Sequence, residues 1–529
     1  MKNIKMSHLL KIFLMLISLF IFVTGCNFLD QKDQIIIGIN QIKTLNPFLS
    51  NLQDEKTINH LIYGSLFTIS SKNSKFEPFI AKRFSLSKNI ILIEINKDIF
   101  DSAGNLIDAN FLSRYFNYFQ KRINGDDDSF IPDVKGLIID SEDNNLVIKF
   151  DESLTQIEKM QKVGHLFVFP ILSPEILDII LKKQEAFYQY GNLENYTIPI
   201  ISTGKWKIIE IDPQNIKIEK RVYQEREKNK NIQNEDKKKV ILFRIIKDSN
   251  IILQNLINKE IDICFGDKND AKFMENFYSI KSIQVNNPES FYVLFFNFQS
   301  SNPQNKDLIL NFNFRKFIYD IISYNFKTKK INSEFYIMPS HLILRKFDPV
   351  GKSSLKEFNE KIGDGLFLYT LSDDQFGLFL MQNIIDIFTY YGINIKCYSE
   401  NLNNMIARIY ATKNWDLYIS SLSIDYPFLI DLDLFNPFSY QHIFNINLDK
   451  NNDLLLGFEN EIYNMIEQNS ELILKNPAKI YKNIEQFIIK NYYFIPLAQD
   501  RFYIFYNRNL KIKYAEIINK GFFIYSLFE

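Results

Sequence analysis

Apolar runs and helical periodicities alternate twice along this chain, and each alternation spells a strand, a helix and a second strand. Ile35 to Ile39 reads as a buried strand, and Leu45-Asn46-Pro47 after it breaks into a loop. Val240 to Ile246 reads as another strand. Ser249 is placed to cap a helix carrying Ile252, Leu253, Leu256 and Ile257, and the chain re-enters a strand at Ile261 to Phe265. The pattern returns further on. Ser372 and Gln375 have capping-box spacing, Leu378, Met381, Ile385 and Phe388 fall at helical intervals, and Gly392 stands where that helix would end. Ile393 and Ile395 open the next strand. A helix with Leu402, Ile406, Ile409 and Tyr410 then leads to a strand at Trp415 to Ser420. Two separate β-α-β regions predict two α/β lobes.

The amino terminus predicts where such a body works. Lys2 and Lys5 precede an apolar run from Ile12 to Val23, too short to span a bilayer comfortably, and the run ends at Val23-Thr24-Gly25-Cys26. Residues 1–25 therefore read as an export signal. Small residues before a cysteine resemble the bacterial lipobox, which implies cleavage before Cys26 and lipid on its thiol and new amino group. Several acyl chains hold a protein at a membrane where one does not. The remaining chain is too long for a single core, so two or three domains are expected.

Composition removes other classes. Apolar residues at 46% and charged residues at 23% are ordinary for a globular body, which excludes extensive disorder. Basic and acidic residues balance at 62 each, so a nucleic-acid partner is not expected. Phe and Tyr are abundant alongside Ile, Asn and Lys, which reads as compositional bias rather than a cofactor box. Two polar stretches, Gln224 to Lys239 and Ser300 to Lys306, read as surface segments.

Catalytic signatures are missing from the sequence. Its five histidines, His8, His60, His165, His341 and His442, form no His-Glu-x-x-His, and there is no Gly-x-Ser-x-Gly, Walker loop or Gly-x-Gly-x-x-Gly. His60 and His165 sit among apolar helical neighbours and read as structural. No cofactor and no metal site are expected. Cys264 and Cys397 lie in strand-like segments without Cys-x-x-Cys spacing; a disulfide is open to them, but free thiols are the simpler reading.

The order of landmarks resembles the family 5 extracellular solute-binding proteins, the peptide and nickel receptors of ATP-binding cassette importers. Leu45-Asn46-Pro47 followed by His60 to Leu66 is similar to the family's opening. Pro78-Phe79-Ile80-Ala81, the stretch Phe100 to Asn110, and Ser202-Thr203-Gly204-Lys205-Trp206 resemble the next segments in order. In the middle, Asn258-Lys259-Glu260-Ile261-Asp262 mirrors Ser-Gly-Glu-Ile-Asp, Phe296-Asn297 mirrors Phe-Asn, and Phe314-Arg315 with Tyr319-Asp320 mirrors a Val-Arg helix. Tyr391-Gly392-Ile393, Trp415-Asp416-Leu417, Asp425-Tyr426-Pro427 and Ile495-Pro496-Leu497 complete the series. Departures exist. Asn110-Phe111 replaces Glu-Asp, only Thr203-Gly204 survives of Gly-Thr-Gly-Pro, and Ser421 to Ile424 replaces a Gly-Trp before the Asp-Tyr.

The resemblance implies a two-lobed periplasmic-binding-protein-like fold of type II, with lobes joined by crossing strands and an extra domain inserted in the first lobe. Mapped on this sequence, lobe I is 27–76, 197–296 and 498–529, the inserted domain 77–196, and lobe II 297–497. It also implies a peptide ligand in the cleft, an ABC permease as partner, a lipid anchor facing the periplasm or the outside, and a monomer. Asp425 and Tyr426 are the ligand-binding residues it implies, Asp425 taking the peptide's α-amino group. Nickel or haem binding is the alternative within the family, and a secreted hydrolase the alternative outside it.

Overall fold

The computed structural model describes residues 34–50, 52–69, 75–87, 89–123, 135–183, 185–194, 197–221, 240–328, 365–423, 467–476 and 490–510, with scattered single residues and short pieces besides. Along the chain, β1 (Gln34–Ile39) comes first, followed after a loop and a helix (Gln53–Ile62) by the short pair β2 (Phe67–Ile69) and β3 (Phe76–Pro78). Next come β4 (Ala81–Ser87), β5 (Ile90–Ile95), β6 (Leu137–Glu142) and β7 (Asn145–Phe150), which close an antiparallel sheet of their own in the order β4-β5-β7-β6. Then follow β8 (Trp206–Ile211), β9 (Asn215–Lys220), β10 (Val240–Ile245), β11 (Ile263–Gly266) and the long β12 (Ile280–Phe296). After these come β13 (Leu366–Leu371), β14 (Ile395–Glu400), β15 (Leu417–Ser423) and the long β16 (Phe494–Asn507), and the short antiparallel pair β17 (Glu516–Ile518) and β18 (Gly521–Phe523) follows.

Ten of these strands form one sheet, ordered β14-β13-β15-β12-β16-β11-β1-β10-β9-β8. Its two halves are the two lobes, as the sequence led us to expect. β1 is parallel to β10 and β11, and β13 is parallel to β14 and β15, so each half contains the β-α-β units read from the sequence. Parallel strands covered on both faces need continuous apolar runs. Ile35, Ile37 and Ile39 of β1, with Leu366, Leu368 and Tyr369 of β13, supply them and are buried.

β12 and β16 belong to both lobes, which is why they have 17 and 14 residues where strands usually have about 5 or 6. They pair twice. Ile280 to Asn286 lies against Asn507 to Arg501 beside β11, and Phe291 to Phe295 lies against Gln499 to Phe494 beside β15. Between the two ladders, residues 287–290 of β12 face Asp500 alone. The crossing is thus an interruption in an otherwise paired ribbon.

The many phenylalanines pack the core. Phe48 stacks on Phe187 at 5.6 Å and meets Phe119 and Phe169, while Phe67, Phe84 and Phe167 gather beneath the four-stranded sheet. Helix starts differ slightly from the sequence reading. Asp248, not Ser249, caps Ser249–Ile257 by accepting from Asn250 N–H, and Asp374, not Ser372, caps Gln375–Tyr390 by accepting from Gly377 N–H. The helix Leu402–Ile406 continues as a π-helical turn, Ala407–Thr412, which rotates its faces. Met405 and Ile409 are buried, whereas Leu402 and Ile406 face solvent. Ser300 to Lys306 is likewise no simple surface stretch, because Ser300 and Asn305 are buried. The stretch Gln224 to Lys239 lies outside the described residues.

Candidate functional site

Strand direction locates the cleft. In lobe I, Gly266 at the carboxyl end of β11 pairs with Tyr503, nearer the interruption than Ile263, which pairs with Tyr506. In lobe II, Ser423 at the carboxyl end of β15 pairs with Ser290, inside the interruption. Because β1 and β10 run parallel to β11, and β13 and β14 to β15, both lobes turn the carboxyl ends of their parallel strands toward the crossing. Open α/β sheets bind ligands at such ends.

The lobe I edge is a row of turns tied down by carboxylates. After β1, the N–H groups of Asn40 and Gln41 donate to Asp54 Oδ2 at 2.8 and 3.3 Å. Desolvation pushes the Asp54 carboxyl up, and these two bonds pull against it. After β11, Asp267 and Asp270 cap each other's backbone N–H groups at 2.9 and 3.0 Å, and burial raises the Asp270 carboxyl. On the lobe II edge, Asp374 Oδ1 accepts from Tyr292 Oη on β12 and from Gly377 N–H, each at 2.9 Å. The Tyr292 ring meets Phe376 edge-on at 4.7 Å, and Phe376 stacks with Phe379 at 6.0 Å.

Cys26, Asp425 and Tyr426, the residues the sequence singles out, lie outside the described residues, as do His341 and His442. The other motif residues are scaffold. Asp101 accepts from Ala103 N–H, Asn105 and Ser173, which fixes the turn at Gly104. Thr203 bonds Gly64 N–H and Ile171 C=O, and Gly204 packs so close that an added Cβ would sit 2.6 Å from Leu61 O. Asp262 accepts from Ile36 N–H at 3.0 Å, tying β11 to β1. Asn297 donates to the carbonyls of Lys413 and Trp415. Buried Arg315 donates to the carbonyls of Ile309, Leu310 and Asn491 and lies over Phe298 and Tyr493; desolvation lowers it to about 10.

The two described cysteines are free. Cys264 is buried and Cys397 half-buried, and burial pushes the Cys397 thiol up to about 11, so neither is a reactive thiolate at neutral pH. His165 lies on an exposed helix surface, and His60 on the helix Gln53–Ile62. Among the described residues, no group of three or more His, Cys, Asp or Glu side chains is placed to hold a metal ion, and no helix is long and apolar enough to cross a membrane. The Tyr292–Asp374 pair was not singled out from the sequence, where only the helix-start signal around Ser372 pointed to that turn.

No protein-family model matches the chain, and no curated protein matches it by sequence. Solved structures do. A substrate-binding protein of an ABC transporter, CtaP from Listeria monocytogenes, is 14% identical with a TM-score of 0.62, over 90% of this chain and 94% of that one. MppA, a periplasmic murein tripeptide-binding protein, gives 14% and 0.63 over 90% and 93%. The nickel ABC transporter structure from Bacillus halodurans gives 14% and 0.66 over 93% and 99%. The fold is therefore the two-lobed periplasmic binding-protein fold. Its structural neighbours are family 5 substrate-binding proteins of ABC transporters, transport proteins rather than enzymes.

Proposed function

We propose that this protein is the substrate-binding lipoprotein of an ABC importer, which captures peptides between its lobes and delivers them to a membrane permease. One observation carries the reading: two opposed rows of strand ends meet at a crossing where the ladder has its widest gap, residues 287–290 opposite Asp500. Such a molecule encloses a flexible polar ligand by bending at one place. An extended peptide offers repeating amide donors and acceptors, which strand ends and turns meet without reading side chains. The reading includes no catalysis, no cofactor and a monomer. It divides the mature chain into lobe I (27–76, 197–296, 498–529), an inserted domain (77–196) and lobe II (297–497), and moves the boundary between the lobes to the bend at 287–290 and 500, so that Tyr292 counts with lobe II.

Asp425 is the proposed anchor for the peptide's α-amino group, with Tyr426 beside it. What supports this is that Asp425 follows Ser423 by two residues in the sequence, and Ser423 ends β15 at the crossing. A buried ammonium needs a paired carboxylate, since desolvating either charge alone is costly. Calorimetry on Asp425→Asn tests this: free-amine peptides lose about 2 kcal/mol or more of binding while N-acetylated ones lose little. Equal losses for both remove Asp425 from the site.

The family-level rival is nickel or another chelate, which the nickel-transporter neighbour keeps in view. Thermal shifts of the mature protein with a peptide library, nickel and haem separate the two, because tight ligands raise the melting temperature. For the anchor, Cys26→Ala abolishes incorporation of labelled fatty acid and leaves the precursor uncleaved or released. A variant still labelled and membrane-bound refutes the lipobox reading.

A further inference from the structure

We propose that Asp374, with the rings of Tyr292 and Phe376, forms a subsite in the lobe II wall for a cationic side chain of the bound peptide, an ammonium or a guanidinium. The proposal rests on the peptide-cleft reading above and adds a preference to it. Two elements far apart in sequence build the corner. Tyr292 stands on β12 as the second residue of the second ladder, opposite Ala498, and Asp374 stands in the turn that leaves β13 at its carboxyl end.

The carboxylate is held and half used, its Oδ2 lying beside Gly377, where an added Cβ would come within 2.6 Å of it. Oδ1 accepts from both Tyr292 Oη and Gly377 N–H, which fixes the group from two sides. Oδ2 has no hydrogen bond among the described residues, and the group has no ion pair there. Capping the helix needs one acceptor oxygen, so the cap accounts for Oδ1 and its bond to Gly377 but not for a tyrosine reaching in from the crossing strand. Nor does it account for the aromatic rings beside it. Phe376 lies edge-on to Tyr292, and Phe379, stacked on Phe376, is 37% exposed.

Charge completes the case. No Lys or Arg occurs from Ser372 to Asn383, so the turn carries no cation of its own. Arg408, in the π-helical turn Ala407–Thr412, is already held by Glu400 and lies 4.5 Å over the Tyr369 ring. A preoriented carboxylate next to aromatic rings is the arrangement that binds ammonium and guanidinium groups, by a charge-assisted bond on one side and ring electrostatics on the other.

Calorimetry on the full mature protein tests the subsite, using alanine-based peptides of three to five residues that carry one lysine, or norleucine in its place. The lysine peptides bind roughly tenfold more tightly than the norleucine peptides. Asp374→Asn keeps an oxygen for Tyr292 and Gly377, so it melts as the parent does, binds norleucine peptides unchanged and loses the tenfold preference. Phe376→Leu reduces the preference in part. Norleucine peptides that bind while lysine confers no advantage, or a preference that survives in Asp374→Asn, overturn the subsite and leave the cleft reading standing. If no peptide of either kind binds, both fail.

Discussion

The carboxylate of Asp416 sits in the core of lobe II with three donors and, among the described residues, no ion pair. Ser300 Oγ donates to one oxygen; Asn305 Nδ2 and Phe367 N–H donate to the other at 2.7 and 2.8 Å. These bonds join three elements: the turn at Ser300, the helix Pro303–Leu310 and β13. Asp416→Ala leaves several buried donors unmet and costs about 2–4 kcal/mol. Asp416→Asn retains all three contacts, with its amide oxygen toward Asn305 and Phe367 and its NH2 toward Ser300, and stays within about 1 kcal/mol of the parent at neutral pH. Burial raises this carboxyl, with the three bonds opposing. The native protein then holds the proton more tightly than the unfolded chain. Its stability contribution grows as pH falls through the raised folded value and is lost as pH rises above it. Urea unfolding across the acid range therefore shows the parent losing stability relative to Asp416→Asn as pH increases. A constant difference means that the carboxyl does not titrate differently on folding.

Elements were legible wherever local chemistry decides them. β1 announces itself as a buried strand and β10 as a strand, and Gly392, with φ of 68°, ends its helix as read. The caps fall a residue or two from the sequence reading because Asp248 and Ser249, or Ser372 and Asp374, are neighbouring candidates one and two residues apart, and only the backbone's path chooses between them. The Tyr292–Asp374 pair could not be read at all. Its members are 82 residues apart and meet only through sheet pairing. One departure from the family pattern has a physical cost. Lys259 follows the helix Ser249–Ile257 with φ of 64°, a left-handed conformation at the position where the resembled motif has glycine. A side chain there is strained, so Lys259→Gly stabilises the protein by about 0.5–1 kcal/mol, the relief exceeding glycine's entropy cost. Urea midpoints measure it. A lower midpoint in the variant means that the Lys259 side chain contributes packing that outweighs the strain.

At the scale of the molecule, the two ladders of β12 and β16 set how the lobes can move. The lobe I ladder is continuous and the lobe II ladder is broken by a single-residue bulge at Leu497, whereas Pro288, which has no N–H to give a ladder, lies in the four-residue stretch where pairing lapses. Bending there breaks few hydrogen bonds, whereas bending anywhere else in the ribbon breaks several and disturbs the strands beside it. On the proposed reading, closure is a rigid-body rotation about 287–290 and 500, and a ligand touching both lobes drives it only by binding the closed form better. Moving the population from almost all open to almost all closed takes about 5.5 kcal/mol of differential binding, within reach of a ligand held by both edges. Solution X-ray scattering therefore shows a smaller radius of gyration when the mature protein is saturated with a peptide whose binding calorimetry has established. Lengthening the unpaired stretch with two glycines beside Pro288 loosens the open state and lowers affinity without lowering the melting temperature of either lobe. An unchanged scattering profile at proven saturation rejects a closing cleft and leaves a rigid receptor in its place.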